Sequence, residues 1–370
     1  MKLDRVEVRQ LSLPLKTAFE TSVGRMTTKE FLLVGVSGDG MTGHAECVAD
    51  ADPFYLPETN ATVLHVLRDF LVPVAFSLDI GHPRDVRPAL SRIRGHEMAK
   101  AALEMAVWDL MARREGVPLY QLLGGRGGTI EAGVSVGLQP DDAGLPDRVA
   151  AEVEAGYRRV KVKIKPGRDL KPVSLIRDRF PDLPLMVDAN CAYTLADAER
   201  LRAFDRFNLM MIEQPLAWDD LVDHATLQKQ LQTPLCLDES IHSPDDARRA
   251  LELGACRLVN VKVGRVGGFA GAMGVHDVCV AVSAPVWCGG MIESGIGRLA
   301  NVHLQTLPGF TLPGDTSASA RYYEEDLVDP PVVVSRDGTI TVPEGPGLGH
   351  EIVWPRVERA TVFTETWTRP

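Results

Sequence analysis

Five charged residues recur at nearly constant spacing in the middle of the chain. They are Lys163, Asp188, Glu213, Asp238 and Lys262, and they are separated by 25, 25, 25 and 24 residues. Each stands at or near the end of a short apolar run. In chain order, the two lysines flank the three carboxylates. This spacing equals one β/α unit, and the carboxyl ends of parallel strands face one mouth in a closed barrel. The pattern therefore predicts that the five side chains converge.

Three carboxylates on neighbouring strands cannot all stay ionised without a cation, because their repulsion raises at least one pKa. A single acid after a strand is more often a helix cap or a solvated loop charge. Three at this spacing instead favour a shared ion, and oxygen ligands suit a hard divalent metal. We therefore predict that Asp188, Glu213 and Asp238 bind Mg²⁺, or Mn²⁺ or Co²⁺ in its place.

Lysines bracket the predicted metal on both sides. Lys161 and Lys163 share one face of the run 160–164, because side chains alternate along a strand. We expect a cationic neighbour to lower a lysine pKa towards the range of a general base. A metal that holds a carboxylate, with a lysine on each side, suggests removal of the proton α to that carboxylate. One lysine would take the proton while the other faces the opposite side of the product.

The elements around these residues predict a closed (β/α)₈ TIM barrel over residues 126–339. Short apolar runs alternate there with amphipathic helical stretches, as a parallel sheet buried on both faces requires. The glycine-rich stretch 122–128 is the best candidate for the boundary before the barrel. The eight predicted strands cover 132–136, 159–164, 185–187, 210–212, 235–237, 258–261, 286–288 and 310–312.

Residues 1–125 predict a separate α+β unit. Three runs that begin near Val6, Phe31 and Gly43 alternate apolar and polar side chains, and Gly38-Asp39-Gly40 predicts a hairpin turn between the last two. Helices are predicted over about 58–70 and, more strongly, over 98–114. The segment from about 340 to 370 reads as loop-like, and we expect it to return to this N-terminal unit.

Composition, charge and the absence of certain motifs argue against several classes of protein. The formal net charge of −10, with an isoelectric point near 5.5, argues against nucleic acid or an anionic membrane as a partner. The N-terminus carries charge where a signal peptide has its apolar core, and no run is long enough to span a membrane. We therefore expect a cytoplasmic protein whose six scattered cysteines are free thiols. Zinc, P-loop and serine-esterase motifs are absent from the sequence.

Over nearly its whole length the chain resembles the muconate-lactonizing subgroup of the enolase superfamily. Within that subgroup it is similar to the N-acylamino acid racemases and o-succinylbenzoate synthases, whose superfamily uses lysine with Mg²⁺. The motifs that carry the resemblance are KVKIKPGRD (161–169), VDAN (187–190), IEQPL (212–216), LDES (237–240), NVKVGRVGG (260–268), WCGGMIESGIGR (287–298) and LPGDTSAS (312–319).

The resemblance implies a role for particular residues. It makes Lys163 and Lys262 the acid/base pair, and it makes the three carboxylates the metal ligands. It also implies that the N-terminal unit is a capping domain whose loop around Phe19 closes over the substrate. Cys191 stands where such relatives usually carry a small hydroxyl residue or glycine.

Further substrate-binding residues follow from strand ends and loops. Lys161 and Ser135 lie on barrel strands, although Ser135 could equally be a plain turn residue. Asn190 would contact the substrate or a metal ligand, or else cap the next helix. Gly290, Met291 and Ile292 offer backbone N–H groups and an apolar wall after the seventh strand. Glu239 should point away from Asp238 by strand alternation, and the sequence assigns no role to Asp315.

Several functions remain open at this point. Racemisation of N-acylated amino acids leads, and the o-succinylbenzoate synthase reaction is its nearest alternative, because both begin with loss of the proton α to a carboxylate. Dipeptide epimerisation is less favoured, since the loop 314–317 supplies only one acid. A non-catalytic metabolite-binding barrel would lack one of the five charged residues, and none is missing. We expect a small-molecule carboxylate substrate and a homo-oligomer, either an octamer or a dimer.

Overall fold

The computed structural model describes residues 1–370, and its first part is an antiparallel sheet. Strand β1 (Arg5–Glu20) pairs with β2 (Arg25–Gly38), which pairs with β3 (Met41–Cys47). Asp39 and Gly40 both have positive φ and form the tight hairpin turn between β2 and β3. The predicted meander is therefore confirmed, and its first two strands extend beyond the apolar runs that indicated them.

Helices fill most of the chain between strands. In chain order they are α1 (Asn60–Val66), α2 (Val72–Ser77), α3 (Val86–Ala89), α4 (Glu97–Glu115), α5 (Leu119–Leu123), α6 (Leu145–Glu154), α7 (Leu170–Arg179), α8 (Ala198–Arg202), α9 (Val222–Gln228), α10 (Pro244–Leu253), α11 (Phe269–Ala281), α12 (Gly295–Leu304) and α13 (Trp354–Ala360). The predicted helix 98–114 is confirmed as α4, which ends at Gly116 in the left-handed conformation. The predicted helix 58–70 is interrupted, because α1 gives way to a π-helical turn over Leu67–Leu71.

Seven parallel strands form the barrel sheet. A short strand, β4 (Thr129–Glu131), precedes them. The barrel strands are β5 (Gly133–Val136), β6 (Arg159–Lys163), β7 (Leu185–Asp188), β8 (Ile212–Glu213), β9 (Leu235–Leu237), β10 (Leu258–Val261) and β11 (Val286–Cys288). They neighbour one another in sequence order, as a (β/α) barrel requires. Seven of the eight predicted barrel strands are thus present.

The eighth predicted strand, 310–312, does not form a strand. Phe310 makes an isolated parallel bridge to Val286, and Gly314 makes one to Ala132, so single contacts join this segment to both edges of the sheet. Pro313 lies between the two bridges and has no N–H to donate to a ladder. The ring is therefore closed by an irregular segment, which carries Asp315 into the barrel mouth.

The end of the chain contains regular structure that the sequence reading missed. Four strands follow the barrel: β12 (Val328–Asp329), β13 (Thr339–Thr341), β14 (Glu351–Ile352) and β15 (Thr361–Thr368). Strand β15 pairs antiparallel with β1, from Arg5 opposite Thr368 to Leu11 opposite Thr361. The expectation of a loop-like end is wrong, because TVFTETWT is rich in β-branched and aromatic residues that favour strands. The sheet β15-β1-β2-β3 with helices α1–α4 is called the capping domain below.

Two buried glutamates fasten the capping domain to the barrel. Glu104 on α4 accepts hydrogen bonds from the backbone N–H of Phe269 and Ala270, at 2.8 and 2.9 Å, where α11 begins. Glu46 on β3 likewise accepts from the backbone N–H groups of Ser294 and Gly297, where α12 begins. Helix N-termini have unpaired N–H groups, so each glutamate satisfies donors of the other unit.

No helix of the structure combines the length and the apolar character needed to cross a membrane. All six cysteines are free thiols, as expected, and five of them are buried.

Replacing Glu104 by alanine tests this junction. The change leaves two backbone N–H groups and the indole N–H of Trp108 without their buried acceptor. We expect a loss of about 2–4 kcal/mol in the free energy of unfolding, measured by urea denaturation. Glu252→Ala is the matched control, because Glu252 is exposed and its ion pair with the exposed Arg248 is screened by water. Equal stability of the two variants would contradict the proposed junction.

Candidate active site

Strand register brings the five spaced charges together. Lys163 is the direct partner of Asp188 in the pairing of β6 with β7, and Asp188 is the partner of Glu213 in the pairing of β7 with β8. Asp238 and Lys262 follow β9 and β10 directly. The carboxylates are almost completely buried, and Lys262 is 6% exposed. The predicted convergence at one barrel mouth is confirmed.

Lys161 lies among carboxylates. Its Nζ is 2.9 Å from Glu213 Oε2, 3.3 Å from Asp188 Oδ2 and 2.6 Å from Asp315 Oδ2. Arg159 pairs with the other oxygen of Asp315 at 2.6 Å, so this acid belongs to the charge network of the mouth. Burial would lower the pKa of Lys161, but Asp315, Glu213 and Asp188 outweigh it and raise that pKa well above its usual range. The charge of Lys262 does lower the pKa of Lys161, as a cationic neighbour should, but these carboxylates outweigh it.

Lys163 is held by two groups of the barrel. Its Nζ donates to Asp188 Oδ2 at 2.6 Å and to Asn190 Oδ1 at 2.7 Å. Asn190 has a left-handed backbone (φ 42°), and its Nδ2 donates to Glu239 Oε1 at 2.9 Å. Asn190 therefore positions Lys163, and Glu239 lies behind Asn190, where strand alternation placed it.

Lys262 has partners of a different kind. Its Nζ is 2.9 Å from Asp238 Oδ2 and 2.5 Å from the hydroxyl of Tyr55, which comes from the capping domain. Arg265 pairs with the second oxygen of Asp238. Burial lowers the pKa of Lys262, but the charges of Asp238 and Glu239 overcome this effect and raise it above the usual lysine range.

Glycine is required beside Lys262. A Cβ built on Gly289, at the end of β11, would lie 2.8 Å from Lys262 Cε and closer still to the amide of Asn260. The lysine stem and this amide therefore occupy the space that a side chain would need. Asn260 Nδ2 in turn donates to Glu213 Oε1 at 2.6 Å.

The three predicted metal ligands have suitable donor chemistry. They supply buried carboxylate oxygens, the donors that hard divalent cations prefer. Burial, followed by the charge of Asp188, raises the pKa of Glu213 to about 7, so added positive charge nearby would favour its ionised form. No three acidic, histidine or cysteine side chains already converge on one point, since each carboxylate is turned towards a lysine or arginine.

A cavity of about 330 Å³ opens above these groups, between the barrel and the capping domain. Its lining includes both Lys163 and Lys262. It also includes most of the predicted substrate-binding residues, namely Phe19, Asn190, Gly290, Met291 and Ile292. Phe19 lies at the end of β1, packed edge-to-face against Tyr322 with ring centroids 6.1 Å apart. The predicted apolar residues and the two lysines therefore line the same cavity.

Ser135 and Lys161 line a second, smaller cavity of about 40 Å³ that shares Lys163 and Lys262 with the first. The hydroxyl of Ser135 is buried and has no hydrogen-bond partner in the protein. Because buried hydroxyls are normally paired, this one is available to a bound molecule.

Sequence reasoning missed four groups of the charge network: Asn260, Arg265 and Tyr55 contact predicted site residues, and Arg159 contacts Asp315. Asn260 had a signal, because it stands two residues before Lys262 on a barrel strand and so shares its face. Arg159 likewise precedes Lys161 by two residues. Arg265 lies in a loop and Tyr55 in an irregular segment of another domain, so neither had a periodic pattern that could reveal it.

Two known protein families match the chain, one over each of its two parts. Residues 145–356 match the "Enolase C-terminal domain-like" family, and residues 4–124 match "Mandelate racemase / muconate lactonizing enzyme, N-terminal domain". The chain is 53% identical over 370 residues to an o-succinylbenzoate synthase of Geobacillus stearothermophilus, covering 100% of this chain and 98% of the relative. It is 46% identical over 363 residues to an N-succinylamino acid racemase of Thermus thermophilus, covering 98% of each.

A solved structure agrees over the full length. A member of the enolase superfamily from Listeria innocua superposes with a TM-score of 0.96 at 38% sequence identity, covering 100% of both chains. The chain therefore belongs to the enolase superfamily, in its mandelate racemase/muconate lactonizing enzyme group. It is an enzyme of the class that abstracts the proton α to a carboxylate, and members of this class generally use a divalent metal.

Lys161→Met tests the charge network. The substitution keeps the volume but leaves Asp188, Glu213 and Asp315 short of a buried cation. We expect a loss of about 3–5 kcal/mol in the free energy of unfolding without metal. Added Mg²⁺ should raise the melting temperature of this variant more than that of the wild type, as calorimetry would show. Lys165→Met is the control, because Lys165 is partly exposed and lies 3.7 Å from its acidic partner. A Mg²⁺ response equal to that of the wild type would argue against a shared ion.

Proposed function

We propose that the protein racemises N-acylated amino acids, with N-acyl and N-succinyl compounds as the substrate class. One observation carries this proposal: Lys163 and Lys262 line the same cavity from the second and the sixth barrel strands. Strands two and six of an eightfold barrel lie opposite each other. The two ammonium groups can therefore approach one α-carbon from opposite faces, as inversion of a stereocentre requires.

The chain's own groups divide the work of proton transfer. One lysine, as the neutral amine, takes the α proton from its face, and the other, as the ammonium, gives a proton to the opposite face. Asp188 and Asn190 fix the Nζ of Lys163, and Asp238 with Tyr55 fixes that of Lys262. The reverse reaction exchanges these roles, so both enantiomers are substrates.

Asp188, Glu213 and Asp238 are the residues that would hold the divalent ion, with Mg²⁺, Mn²⁺ or Co²⁺ as candidates. The ion supplies positive charge that makes the proton next to a carboxylate more acidic. Lys161 compensates the charges of Asp188 and Glu213 and helps to orient a substrate carboxylate.

The remaining predicted contacts match the parts of such a substrate. The unpaired hydroxyl of Ser135 can donate to a carbonyl or carboxylate oxygen. Phe19, Met291 and Ile292 form an apolar wall suited to the amino acid side chain. Gly290 has no room for a side chain, because a Cβ would lie 2.6 Å from the carbonyl oxygen of Asp315.

The o-succinylbenzoate synthase reaction is the second candidate. It is favoured by the name of the Geobacillus stearothermophilus relative, which is similar over its whole length. That dehydration needs only one base, and the second lysine would serve as a fixed cation. The two reactions share their first step, so one site can support both.

Exchange of the α proton in D₂O tests the opposed lysines. Lys163→Ala should stop racemisation of an N-succinyl amino acid but leave exchange of the enantiomer that faces Lys262. Lys262→Ala should show the complementary selectivity, and loss of a general base should slow the affected exchange by about 10²–10⁴-fold. Proton NMR of each pure enantiomer measures both rates. Near wild-type racemisation by either variant would refute the assignment.

Metal removal tests the ligand set. Exhaustive dialysis against EDTA should abolish turnover, and Mg²⁺, Mn²⁺ or Co²⁺ should restore it. Glu213→Gln keeps the side-chain volume but removes a charge, so it should weaken Mg²⁺ binding by at least about tenfold in isothermal titration, which corresponds to about 1.4 kcal/mol. Full activity after chelation, or unchanged affinity of the variant, would count against these ligands.

A further inference from the structure

Tyr55 is the capping-domain side chain that hydrogen-bonds to a proposed catalytic lysine. Its hydroxyl accepts from Lys262 Nζ at 2.5 Å and donates to Asp238 Oδ2 at 3.1 Å. The Nζ also lies 4.5 Å from the centroid of the Tyr55 ring. A lysine ammonium has three donors. Tyr55 and Asp238 occupy two of them, which leaves one for the cavity.

Backbone hydrogen bonds do not fix the segment that carries Tyr55, although its Leu56 is buried in the hydrophobic core. Residues 51–57 form no backbone–backbone hydrogen bond, and the segment is closed at its base by the bond from Asn60 N–H to the Asp50 carbonyl. The neighbouring Phe54 is 69% exposed. The hydroxyl of Tyr55 is therefore a main polar link between this segment and the barrel.

Lys163 has no equivalent partner. Both groups that accept from its Nζ, Asp188 and Asn190, belong to the barrel. The capping domain contacts this side through Ser22, whose hydroxyl lies 2.8 and 3.1 Å from the carbonyl oxygens of Ala189 and Asn190. It also does so through Glu20, which pairs with Lys165 and accepts from the Leu138 N–H, and neither residue hydrogen-bonds to Lys163 Nζ. The two lysines thus differ in what fixes them.

We propose that Tyr55 is a positioning residue for Lys262 and not for Lys163. The segment 51–57 then controls proton transfer on one face of the substrate α-carbon. This assignment rests on the proposed two-lysine function. Its physical basis is that a lysine stem has many rotamers, and a hydroxyl at hydrogen-bond distance limits them to those that aim Nζ at the cavity.

Tyr55→Phe tests the assignment, because it removes the hydroxyl and keeps the ring. Each enantiomer of an N-succinyl amino acid is incubated in D₂O at saturating Mg²⁺, and loss of its α-proton signal is followed by NMR. Lys262→Ala first identifies the enantiomer that depends on Lys262. For that enantiomer Tyr55→Phe should slow the loss by about tenfold, the equivalent of one hydrogen bond of about 1.4 kcal/mol. The other enantiomer should exchange within about twofold of the wild type.

Tyr120→Phe is the matched control. It removes a tyrosine hydroxyl that bonds to Glu344 at 2.8 Å, away from the cavity, and should change neither rate. Equal slowing of both enantiomers by Tyr55→Phe would mean that the hydroxyl acts on the whole site through Asp238, and would overturn the proposal. Unchanged rates would overturn it too. If the wild type exchanges neither enantiomer, the two-lysine function itself fails and this assignment fails with it.

Discussion

Compensation of buried charge is the constraint on which the barrel mouth depends. Four carboxylates, those of Asp188, Glu213, Asp238 and Asp315, lie out of water within reach of lysine or arginine nitrogens. A buried charge without a partner is costly, so each acid requires a cation and each cation requires an acid. The strand register places Lys163 opposite Asp188, and Lys161 compensates the like-charged pair of Asp188 and Glu213 on neighbouring strands. The same network leaves lysine nitrogens beside the cavity, where chemistry needs them.

The capping domain completes this network and does not merely cover it. Glu46 and Glu104 satisfy the N-termini of the helices that follow β11 and β10, the strands that directly precede Gly289 and Lys262. Tyr55 reaches Lys262 directly. The two glutamates and the segment 51–57 thus act on the same side of the barrel. The glutamates fix the backbone next to Lys262, and Tyr55 in the segment fixes Lys262 Nζ.

Periodicity explains what the sequence could predict. One charge per β/α unit indicated the five convergent residues, and apolar runs indicated seven of the eight barrel strands, since both patterns repeat. Non-repeating features were missed: the bridge-only segment around Pro313, the C-terminal strand β15, and Tyr55 in an irregular segment. The charge network around Lys161 was also not predicted in full, because it includes Asp315. That acid is brought close by the closing segment and not by strand spacing.

The pairing of β15 with β1 has a consequence for how the polypeptide is made. Strand β1 is synthesised before the barrel strands, and its partner over Thr361–Thr368 is synthesised after them. Until that partner arrives, β1 presents an open edge of unpaired backbone groups, which is a template for association with other nascent chains. The capping sheet therefore cannot be completed until the whole barrel has been synthesised, so its last strand pairing depends on a contact of high sequence separation.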